Sequence, residues 1–183
     1  MKKLLAVLFF LVVNIFSGSV VNAEKMVQVT DMTPQAFMND MKRATKLDEM
    51  RKFAVLDFAD LELHEELNYT ELNLNAWTSL FSIAGEIKGV LGLYTNDKNI
   101  VHLIIIYPNY SGFESNEQGQ KIIFALLMAA FYEVGLSSDE FSTLYKGVID
   151  ATPDNHVWCE KAQRYVIANR TDDGVIFIAG GML

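Results

Sequence analysis

His156 and Cys159 are the nearest approach in this 183-residue chain to a nucleophile with its base. A thiol is activated only by an imidazole within hydrogen-bond reach. In an extended segment a spacing of three sends the two side chains to opposite faces, about 10 Å apart. A turn would bring them together, and Pro153-Asp154-Asn155 just upstream leaves that open. They are candidates for thiol chemistry, not an assembled pair. Cys159 is the chain's only cysteine, so an intrachain disulfide is impossible. Its simplest expected role is that of a small buried hydrophobe.

A second cluster is acidic: Asp57, Asp60, Glu62, His64, Glu65 and Glu66. His64-Glu65-Glu66 opens like the zinc-protease pattern, but Asn68 stands where the second histidine is required. On a strand, Asp60, Glu62, His64 and Glu66 would share one face and could meet a hard cation such as calcium. The simpler expectation is the solvated side of a half-buried strand, with Leu61, Leu63 and Leu67 turned inward. His102 lies in an apolar run, and the three histidines are too far apart for their spacing to define a metal site. No G-x-S-x-G elbow is present. Gly85, Gly89 and Gly92 do not have the spacing of a phosphate-binding loop. No cofactor is therefore expected. The remaining candidates are aromatic: Tyr107, Tyr110, Phe113, Trp77 and Trp158, either as binding anchors or as closures of the core edge.

The element that must position all of these is the run Ile122–Val134, apolar on every side. Such a helix calls for cover all round. Ser115 and Gln118 have the spacing of a capping box ahead of it, and Gly135 is placed to end it. A membrane span would need about 20 apolar residues, and this run is shorter. Upstream, Thr33-Pro34 opens an amphipathic helix to about residue 47. Downstream, Ser137 and Glu140 repeat the capping-box spacing before Phe141, Leu144, Tyr145 and Val148.

Strands are expected between these helices and after them. One alternating segment begins at residue 60 and another at 69. Ile87–Tyr94 and Ile100–Tyr107 are joined by a loop at 95–99, and both faces of the second are apolar. Gln163–Arg170 and Val175–Ala179 flank Thr171-Asp172-Asp173-Gly174, a hairpin signal. Strands that run in series, not alternating with helices, predict an α+β fold. The expected form is an antiparallel sheet of about five or more strands packed on a central buried helix and two others.

Residues 1–23 have the form of a secretory signal peptide: Lys2 and Lys3, an apolar stretch from Leu4 to Val13, and Val21-Asn22-Ala23 before a cleavage point. Residues 24–183 are then expected to form a single α+β domain, exported to the periplasm or secreted. Removal of Lys2 and Lys3 takes the whole chain's net charge of −8 further negative. An acidic surface disfavours nucleic acid and anionic membrane, and no membrane span is expected once the signal is removed. By elimination the chain is read as a small binding or accessory domain for a protein or small-molecule ligand. The alternatives are a hydrolase-type enzyme with a dispersed site, or a structural, homo-oligomeric envelope protein. An enzyme should show a deep pocket with convergent polar groups, and a binding module an exposed apolar patch. An oligomer should leave one face of the central helix bare.

Overall fold

A computed structural model describes residues 26–69, 74–108 and 116–181 of the chain. It shows an α+β architecture with an antiparallel sheet, as the serial strands predict. In chain order the elements are β1 (Met26–Val27), α1 (Pro34–Ala44), α2 (Asp48–Arg51), β2 (Asp57–Phe58), β3 (Glu62–Tyr69), β4 (Leu74–Ile83), β5 (Glu86–Thr95) and β6 (Val101–Pro108), followed by α3 (Glu117–Val134), α4 (Ser138–Ile149), β7 (His156–Cys159), β8 (Arg164–Arg170) and β9 (Ile176–Gly181). The signal segment, Tyr110 and Phe113 fall outside the described residues.

The sheet runs β2-β4-β5-β6-β9-β8-β7, with β3 also on β4 and β1 on β9. Every pairing is antiparallel. Ala84 and Gly85 both take positive φ, 49° and 81°. That is the backbone twist that lets two residues join β4 to β5. β6 is buried on both faces: Leu103, Ile104, Ile105 and Ile106 are each at most 2 % exposed. A strand so placed accepts an unbroken apolar run.

One face of the sheet carries the helices. Leu91, Leu93, Ile104, Ile106, Ile176 and Ile178 form a continuous core with α1, α3 and α4. α1 begins as expected, with the Thr33 hydroxyl accepting from the Ala36 N–H at 3.3 Å and Pro34 in the first turn. α4 carries a complete capping box between Ser137 and Glu140. α3 is capped differently from the expectation. Asn116, not Ser115, is the N-cap, and its Oδ1 accepts from the N–H groups of Gln118 and Gly119 at 2.9 and 3.2 Å. Asparagine caps at least as well as serine, so the helix starts one residue later. Gly135 ends it at φ 100°.

A second departure concerns β3. Leu63 is 43 % exposed, whereas the His64 side chain is only 13 % exposed and shares a 2.8 Å hydrogen bond with the Thr78 hydroxyl. The leucines keep the expected parity, with Leu61 packed against the core, but the order of exposure at Leu63 and His64 is the reverse of the expectation. Leu63 lies opposite Trp77 on the helix-bearing face, at the sheet margin and short of the helical cover. His64 lies opposite the buried Ala76.

Candidate functional site

The feature that stands out on the surface lies on the helical layer. α3 runs through its middle, with α1 and α2 on one flank and α4 on the other. Ten of its eighteen residues are buried. Each large apolar side chain so enclosed contributes about 1.5–3 kcal/mol. The stripe facing away from the sheet is different. It begins with Glu117 and Lys121, an ion pair at 2.6 Å, and continues through Phe124, Met128 and Tyr132. Met128 is 36 % exposed and Tyr132 70 %.

Phe124 is the hub of an aromatic cluster. Its ring centroid lies 4.5 Å from Phe53, 5.3 Å from Phe141 and 5.1 Å from Tyr145. The contacts to Phe141 and Tyr145 are edge-on, the arrangement favoured by ring quadrupoles. Phe53 is delivered by the loop after α2 and is 39 % exposed; Leu47 and Val55, from the same stretch, are about half exposed. Burial raises the Tyr145 phenol above its ordinary range.

The two ends of this patch differ in charge. Near Phe53 lie the exposed Lys46, Arg51 and Lys52, with Asp48 and Glu49. Near Tyr132 a shallow cleft of about 400 Å³ is lined by Leu136, Glu140, Glu160 and Lys161, among others. Burial raises Glu140, but bonds from the Ser137 N–H and hydroxyl and from the Glu160 N–H outweigh it, leaving the carboxyl below its ordinary range. Glu133, next to Tyr132 in the chain, is shifted upward, by burial and by Asp40. What such a surface does well is bury apolar area against another surface.

The residues singled out from sequence are dispersed. His156 and Cys159 sit at opposite ends of β7, paired with Ile167 and Arg164. The strand parity sends them to opposite faces; His156 is exposed and Cys159 fully buried in the core. Asp60 is exposed and 3.6 Å from Lys42. Glu62 and His64 approach to 4.0 Å. Glu66 lies on β3, but its side chain is outside the described residues. Among the described residues no three His, Cys, Asp or Glu side chains converge as metal ligands. Trp77 packs against the core, its indole N–H buried without a partner among the described residues. Tyr107 is half-buried on β6. Trp158 is 38 % exposed and packs edge-on to Tyr165 at 5.1 Å, with His156 5.7 Å from the same ring. This smaller aromatic strip lies at the far edge of the sheet.

Sequence reasoning missed Phe53, Phe124, Met128 and Tyr132 as surface groups. The last three fall within a run apolar on all sides, where composition gives no sign of which stripe is uncovered. A usable signal was the continuation of the Glu117–Lys121 stripe at helical spacing through Phe124, Met128 and Tyr132. Among the described residues no helix is long and apolar enough to cross a membrane. No protein-family model matches the chain, and no curated protein or solved structure matches it.

Proposed function

We propose that this chain is an exported, non-enzymatic binding or accessory domain that works through the outer face of its helical layer. One observation carries the reading. Tyr132 and Met128 stand 70 % and 36 % exposed on a helix with ten of its eighteen residues buried, in line with Phe124 and the half-exposed Phe53 ring packed on it. Scattered apolar side chains on a surface need no explanation, whereas a contiguous group of them marks an interaction site. Tyr is also favoured at interface centres, where it offers a large rigid area with a polar tip. Export is supported by the form of residues 1–23. It suits a chain whose single cysteine is buried and whose stability rests on packing.

The test is site-specific photo-crosslinking in the living cell. A photoreactive residue at position 128 should give a discrete adduct. The same group at Asp172, in the β8–β9 turn, should give none. Absence of any adduct from position 128, with the variant folded and exported, would remove the proposal.

A further inference from the structure

We infer that the partner of this face is a second copy of the same chain, bound about a two-fold axis that passes close to Met128. The inference rests on the binding role proposed for this face and names its occupant. Two features carry it.

The first is the layout of the outer stripe, on which Met128 and Tyr132 are exposed and Phe124 is partly covered by the Phe53 ring. Phe124 and Tyr132 each lie four residues from Met128, about 6 Å to either side along the helix axis. A two-fold axis perpendicular to the helix lays α3 antiparallel to its mate. Met128 then meets the partner's Met128, and Tyr132 meets the partner's Phe53–Phe124 cluster. A surface of this kind is complementary to itself, as isologous contacts require. Methionine at the axis is unbranched and adapts to its own image.

The second is charge. The Phe53 end carries Lys46, Arg51 and Lys52 against Asp48 and Glu49. The Tyr132 end carries Glu133, Asp139, Glu140 and Glu160 against Lys161, with the Asp40–Arg43 ion pair of α1 adding no net charge beside Glu133. An antiparallel pairing sets each end on its opposite; a parallel pairing would set like on like. For a chain of net charge −8, whose copies repel at long range, this local match also fixes which faces meet. The same charge disfavours an anionic lipid surface as the occupant.

The experiment combines solution mass with a positional probe on the purified protein. Sedimentation equilibrium should show a monomer–dimer equilibrium. Tyr132→Glu should raise its dissociation constant by about tenfold or more, and the paired change Arg51→Glu with Lys52→Glu should raise it as well. Tyr132→Phe should leave it nearly unchanged. Met128→Cys should cross-link to its own copy with a short bifunctional thiol reagent, whereas Glu117→Cys should not. Buried Cys159 does not compete. Unaltered circular dichroism and melting would show that each variant is folded. A monomer at all concentrations overturns the inference, and so does an open series of higher oligomers. In either case an adduct of position 128 with a different protein in the cell would leave the binding role standing; no adduct at all would remove both.

Discussion

Asn155 ties α4 to the sheet. Its Nδ2 donates to the Leu144 carbonyl at 2.9 Å and to that of Ala168 at 2.6 Å. Its own N–H donates to Asn169 Oδ1 at 3.1 Å. Gly147 makes room for it: a Cβ there would collide with the Asn155 carboxamide. Truncation removes two buried bonds and leaves a small void. Asn155→Ala should therefore cost about 1–3 kcal/mol, read as a lower urea midpoint at an unchanged slope. A midpoint equal to wild type would show the bonds to be dispensable. None of this was visible in the sequence, where Asn155 reads only as the last residue of a Thr-Pro-Asp-Asn turn. Turn chemistry is local, whereas the carbonyls it serves lie 11 and 13 residues away on different elements.

Among the elements, the β4–β5–β6 ribbon shows why glycines that look alike in sequence are unequal. Gly85 sits at φ 81° in a turn with nothing near its Cα hydrogens. Gly89 lies inside β5, where a Cβ would strike the Tyr107 carbonyl and the Phe81 ring. Gly85→Ala should cost only the backbone penalty of a left-handed residue, about 1–2 kcal/mol. Gly89→Ala must shift a strand or a buried ring and should cost more. Parallel denaturation of the two variants checks this order, and the reverse order would mean that the strands yield easily. Helix boundaries were legible because caps are local: Thr33, Ser137 and Gly135 act where their types suggest. The cover over β3 was not, because Leu63 has the inward parity and is still 43 % exposed. The position of β3 at the sheet margin and the extent of the helical cover decided that.

At the scale of the molecule, acid stability depends on carboxylates held in place by the fold. Asp31 is kept below the ordinary range by hydrogen bonds from Gln28 and Arg164. Arg164 reaches it from β8 at 3.0 Å, joining the segment after β1 to the sheet. Glu140 is lowered at the start of α4. A carboxyl with a depressed folded pKa contributes stability above its unfolded pKa, near 4, and loses it as pH falls through the folded value. Glu133, shifted upward, acts in the opposite sense. The double variant Asp31→Asn with Glu140→Gln should therefore lose less stability than wild type between pH 5 and 3. Urea midpoints across that range decide it, and parallel pH profiles would show that these two groups do not set the acid limb.

The α+β class, the order of strands and helices, and the apolar character of α3 follow from the chain itself. Periodicity, caps and turns are properties of neighbouring residues. Which stripe of α3 meets solvent, how far β3 is covered, and whether His156 can approach Cys159 were decided only when distant segments packed. Those outcomes depend on how far one layer extends over another, a quantity that no local pattern records. The proposed interface is of that second kind, since the Phe53 ring reaches Phe124, at one end of the Met128 and Tyr132 stripe, only after the helices have been laid side by side.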